Sequence, residues 1–89
     1  MLVSDLSELA QYADIILEEW RAQRGSDFPL ESNLDFLSIR RWYLEGVPVR
    51  IVLRGFKDGA PRIKERTPFA YVVPIVEDAA RRWAKSRYL

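Results

Sequence analysis

The chain has 89 residues, a formal net charge of +1, and neither cysteine nor histidine. That composition excludes thiolate and imidazole nucleophiles, histidine general bases, Cys/His zinc sites and disulfide staples, and it points away from an enzyme and from any cofactor. With 48% apolar and 30% charged residues, the chain reads as one small globular domain built on a single core.

The spacing of Leu6, Leu9, Ala10, Ala13, Ile16, Leu17 and Trp20 predicts an amphipathic helix over about 5–24. Ser4 is placed to cap it. Asp5 and Glu8 suit the positive end of the helix dipole, and Arg21 and Arg24 suit the negative end. Gly25 stands where the chain leaves the helix through a left-handed residue. Tyr12 and Ile15 widen the apolar band, either toward more core or toward a partner.

Residues 26–33, SDFPLESN, carry turn chemistry, and Ser32 with Asp35 comes close to a capping box. A second helix over 33–45 has Leu34, Phe36, Leu37, Ile39, Trp42, Tyr43 and Leu44 on more than one side, which predicts a central, buried helix. Gly46 ends it, and Pro48 opens the next element.

The stretch VPVRIVLRGFK, residues 47–57, admits two readings. As a strand, Val49, Ile51 and Leu53 alternate with Arg50 and Arg54. As a helix over 48–57, Val49, Val52, Leu53 and Phe56 form one face, and Arg50, Arg54 and Lys57 form a second. The helix places all seven residues, whereas the strand leaves Val52 on the charged side.

Asp58-Gly59-Ala60-Pro61 reads as a turn, and RIKER, residues 62–66, as a short basic loop. Thr67 and Pro68 then read as the cap and first residue of a last helix over 68–86, with Phe69, Val72, Val73, Val76, Ala80 and Trp83 inward. Pro74 lies inside this run. It predicts either a kink with one lost hydrogen bond, or a separate turn over Phe69–Val73 and a main helix starting at Pro74. The expected fold is an all-α domain of four helices. Its central pair is helix-turn-helix-like, joined through Glu45-Gly46-Val47-Pro48.

The small net charge conceals an asymmetry. Residues 1–47 hold nine acids against four arginines, a net of −5, and residues 48–89 hold ten bases against four acids, a net of +6. A local basic field attracts polyanions even on a near-neutral chain; equally, the two halves can pair their charges at a seam. In a helix-turn-helix the second helix is the reader, and its polar face here is Arg50, Arg54 and Lys57. Arg40 and Arg41 on the preceding helix, and Arg62, Lys64 and Arg66 in the loop, would extend the patch. No aromatic is interleaved with these bases on the same face, so single-strand stacking is not expected.

Other chemistry is thin. The carboxylates of Glu18/Glu19 and of Glu77/Asp78 are adjacent, about 100° apart on a helix, and read as solvated faces rather than acid/base pairs. No apolar run approaches the ~18 residues that cross a bilayer, and the start MLVSDLSELA lacks the basic opening of a signal peptide. The expectation is a cytoplasmic protein with no membrane contact. Two functional classes remain: a non-catalytic DNA-binding domain, and a protein-interaction module or homo-oligomer meeting its partner through Tyr12, Ile15, Ile51 or Tyr71.

Over roughly residues 30–85 the chain also resembles the C-terminal helical domain of the DnaD family of bacterial and phage primosome proteins. The resemblance rests on Ile39-x-x-Trp42 followed by Gly46, the short amphipathic helix to Gly55, Phe69-Ala70-Tyr71, Tyr71-x-x-x-Ile75 and the late Trp83. It implies DNA binding in replication, often with self-association. It would place the Tyr71/Ile75 pair and the basic residues Arg81, Arg82, Lys85 and Arg87 at the DNA-contacting end. The chain departs from the pattern where Ala79 stands in place of the family's tryptophan and where Pro74 interrupts the motif.

Overall fold

The computed structural model describes residues 2–25, 33–64 and 66–87, with side chains for 7–25, 35–64 and 66–86. Among the described residues there are four α-helices and no strand: α1 (Leu2–Arg24), α2 (Asn33–Leu44), α3 (Val49–Gly59) and α4 (Val73–Arg87). Two 3-10 turns, Ala60–Arg62 and Phe69–Tyr71, lie between α3 and α4. The helical reading of 47–57 therefore holds. The expected caps Ser4 and Ser32, with Asp5, Leu6 and Leu34, fall on side chains outside the described ones.

Helix ends follow local chemistry. Gly25 takes φ +68° and closes α1 with its N–H on the Arg21 carbonyl at 2.9 Å. Gly46 takes φ +76°; its N–H bonds the Tyr43 carbonyl at 3.0 Å, and the Val47 N–H reaches back to Trp42 at 3.0 Å. This paired pattern is a Schellman motif, with Val47 and Trp42 both buried as its apolar contact. A side chain at Gly46 would meet no steric neighbour yet would strain the left-handed backbone by roughly 1–2 kcal/mol.

Two expectations about α3 and α4 are corrected. Asp58 and Gly59 continue α3 instead of turning, and the chain bends one step later at Ala60–Arg62. The last helix does not begin at Pro68. Pro68 precedes the 3-10 turn, whose Val72 N–H bonds Phe69 at 3.0 Å, and α4 starts at Val73. Pro74 thus sits in the first turn of α4, where a missing N–H costs nothing, and no kink is needed. Of the two readings of Pro74, the separate turn is the one adopted. Thr67 caps no helix; its Oγ1 accepts the Lys64 N–H at 2.7 Å and its N–H returns to the Lys64 carbonyl at 3.1 Å.

The core draws on every helix: Ala13, Ile16 and Trp20 from α1, Ile39 and Trp42 from α2, Ile51, Val52 and Phe56 from α3, and Val76 and Ala79 from α4. Phe69, delivered by the 3-10 turn, stands at its centre. Its ring centroid lies 5.4 Å from Trp20, 6.0 Å from Trp42 and 6.0 Å from Phe56. Each such aromatic pair adds about 0.5–1.5 kcal/mol beyond burial. Arg24 is also buried, its guanidinium 5.3 Å from the Trp20 ring centroid. Ile63, inside the stretch read as a basic loop, is a core anchor.

The central helix is α3, not α2: α3 has the most extensive packing, chiefly on α4 and also on α1, whereas α2 packs mainly on α1. Its inward face is also rotated from the expected one. Ile51, Val52, Gly55, Phe56 and Gly59 are buried, while Val49 and Leu53 are only half-buried. Gly55 explains the rotation: an added Cβ there would lie 2.8 Å from the Val76 Cα, so the α3 and α4 backbones meet directly at that point. Meanwhile α2 turns Ile39 and Trp42 inward and leaves Phe36, Leu37 and Leu44 outward, at 40%, 50% and 63% exposure. Among the described residues nothing covers that outward face.

A cationic groove between two helices

Helical spacing places Arg50, Arg54 and Lys57 on the exposed side of α3, one turn apart, opposite its buried face. Across from them α4 offers Ala79, Arg82, Trp83 and Ser86. Together Arg50, Ile51, Arg54 and these four residues line an open groove of about 490 Å³. Toward α1 the surface continues as a shelf lined by Glu19, Arg50, Leu53, Arg54, Lys57 and Asp58. Arg50 and Arg54 therefore form the ridge between the two depressions.

The cations are not equivalent. Arg82 is held by its own helix and by α3, with Nε 3.1 Å from Asp78 and a guanidinium nitrogen 3.6 Å from Asp58. Arg41 pairs with Glu77, which ties α2 to α4. Among the described residues no ion pair reaches Arg50, Arg54 or Lys57. Glu77 and Asp78 turn toward different arginines, as their divergence on the helix requires, and do not form a facing pair.

The remaining predicted bases do not gather into the same surface. Arg40 is exposed on α2, and Arg62, Lys64 and Arg66 are exposed along the 60–67 connection. Arg81 lines a second groove of about 500 Å³ with Arg41, Trp42, Glu45, Glu77 and Trp83, where acids and bases alternate. Lys85 is exposed, and the Arg87 side chain lies outside the described ones.

The four predicted partner contacts also separate. Ile51 is buried against the core and is not available to a partner. Tyr12 is half-buried; its hydroxyl donates to the Val47 carbonyl at 2.8 Å, and its ring meets Tyr43 edge-on at 5.3 Å. Burial pushes the Tyr12 phenol well above the usual tyrosine range. Tyr71 is half-buried in the 3-10 turn and, with Ile75, lies close to Gly59 of α3. Only Ile15 is exposed, at 44%.

Trp83 is the groove-lining residue that sequence spacing missed. Read as a core position, it is half-buried and lines both grooves, with cations on either side. The absence of an aromatic among the bases holds within α3 alone; packing of α4 supplies one. A contact between helices carries no signal in the local period, so only the fold could reveal it.

Among the described residues no helix is long and apolar enough to cross a membrane. No family model matches the chain, and no curated protein or solved structure is significantly similar to it.

Proposed function

We propose that the protein is a non-catalytic nucleic-acid-binding domain, most simply a DNA-binding one, that contacts the phosphate backbone through α3. The observation that carries the reading is the row Arg50, Arg54 and Lys57: exposed, one turn apart, and without an ion pair among the described residues. One helical turn advances about 5.4 Å, a spacing at which successive guanidinium groups can follow a phosphate chain.

The packing of α3 shapes the mode of binding. In a reading head the second helix of the pair projects into the major groove. Here α3 is flanked by α1 and α4, and it faces out with Arg50, Arg54 and Lys57, beside Asp58. Backbone contact with little base readout is the consequence, and affinity should depend steeply on salt. A role in replication, as the resemblance of residues 30–85 to DnaD-type domains implies, belongs to the same proposal.

Titration of a labelled duplex at about 50 mM salt tests it, well below the range where phosphate contacts are lost. Arg50→Ala with Arg54→Ala should weaken binding, and Arg62→Ala with Arg66→Ala should weaken it less. A wild-type protein that does not bind at that salt removes the reading. A protein-interaction module is the second reading, favoured by the exposed Phe36, Leu37 and Leu44 on α2. Unaltered duplex binding by a Leu37→Asp variant would separate the two.

A further inference from the structure

We propose that the α3–α4 groove receives the outer face of α1 from a second copy of this chain. The contact would be head-to-tail, built from two separate surfaces of the same molecule, one on α1 and one between α3 and α4. This goes beyond nucleic-acid binding and does not depend on it.

The groove has an apolar floor of Ile51, Ala79 and Trp83, with Arg50 and Arg54 along one wall and Arg82 on the other. On the outer face of α1, Asp14, Ile15 and Glu18 are all exposed. Ile15 is a branched apolar side chain standing in water at 44% exposure, with an acid immediately before it and another three residues on. Asp14 and Glu18 are four residues apart, as are Arg50 and Arg54, so each charged pair spans about 6 Å along its helix. An apolar knob between two acids thus matches an apolar floor beside two arginines. Among the described residues neither Asp14 nor Glu18 makes an ion pair, nor does Arg50 or Arg54, so both sets of charges are available to another molecule.

The contact is heterologous: each copy offers one knob and one groove, so association continues past a dimer unless the rotation closes a ring. Because phosphate and the α1 acids would use the same arginines, polyanion and self-association compete.

Sedimentation at a series of concentrations tests the pairing. The wild type should show a mass that rises past the dimer at about 20 mM salt and falls back near 200 mM as screening takes hold. Asp14→Arg with Glu18→Arg, and separately Arg50→Glu with Arg54→Glu, should each weaken association by at least about tenfold. An equal mixture of the two should restore it, since each then meets a complementary face. Arg81→Glu with Lys85→Glu imposes the same net charge as the α3 reversal on a different face, and it should associate as the wild type does. Ile15→Asp gives an independent variant should a double reversal fail to fold. A wild type that stays monomeric to about 1 mM would overturn the proposal. So would a mixture that fails to associate, or association that survives both reversals but is lost in Leu37→Asp.

Discussion

Replacing Gly55 by alanine probes the contact that fixes the groove. An alanine Cβ there would sit 2.8 Å from both Cα and Cγ2 of Val76 and 3.2 Å from its backbone nitrogen. Carbon atoms pack at about 3.5–4.0 Å, so roughly 0.7–1 Å of displacement is required. Rotating Val76 moves Cγ2 but not Cα, so α4 itself must shift. Overpacking of this kind costs about 1–3 kcal/mol, while the helix gains about 1 kcal/mol when glycine becomes alanine. The net is a destabilisation of up to about 2 kcal/mol, or a Tm lower by up to roughly 8–16 °C for a domain of this size. Gly59 supplies the control. Its nearest neighbour would be Ile75 Cδ1 at 2.9 Å, the end of a flexible side chain, with Tyr71 next at 3.6 Å. Gly59→Ala should therefore change stability by no more than about 0.5 kcal/mol. Thermal and urea unfolding followed by circular dichroism measure both. If Gly55→Ala is more stable than the wild type by the full helix gain of about 1 kcal/mol, the direct α3–α4 backbone approach is wrong.

Pro74→Ala should leave stability within about 0.5 kcal/mol, because Pro74 lies in the first turn of α4; a gain near 3 kcal/mol would place it in a helix interior instead. Tyr12→Phe should cost about 1 kcal/mol in urea unfolding, through loss of the 2.8 Å bond to the Val47 carbonyl. The same residue sets a pH dependence. Its phenol is held neutral in the fold, so on raising pH the unfolded chain ionises first, from about pH 10. Stability from Tyr12 is therefore complete below that pH and declines above it. Subtracting the Tyr12→Phe alkaline absorbance titration from that of the wild type should isolate a late-titrating phenol; a difference curve at the ordinary tyrosine range would contradict the burial.

Much of this architecture is written in periodicity. The run from Leu9 to Trp20 specifies α1, and Val52 with Phe56, opposite Arg50 and Arg54, specifies a helix where a strand was also open. The orientation of α3 was not legible because glycine has no hydrophobic signature. Gly55 and Gly59 draw α3 onto α4, carry Ile51 inward, and leave Val49 and Leu53 at the edge. Pro74 was legible as a constraint but not as a choice. The separate turn is the conformation that places Phe69 among Trp20, Trp42 and Phe56. The error over α2 has a different origin. Apolar residues on two faces do not by themselves imply burial of both: Ile39 and Trp42 turn into the core, and Phe36, Leu37 and Leu44 stay outside. Within the candidate site, the cationic row on α3 follows from spacing alone. Trp83 at the groove and the hold of Asp58 on Arg82 arise from tertiary packing and have no local trace.

The central claim is that Arg50 and Arg54 are phosphate contacts, and the salt dependence of duplex binding tests it most directly. Each phosphate neutralised contributes about 0.9 to the slope of log K against log salt. The wild type should therefore show a slope steeper than that of Arg50→Ala with Arg54→Ala by about 1.8. Equal slopes for the two proteins, or no binding by the wild type at low salt, would contradict the account.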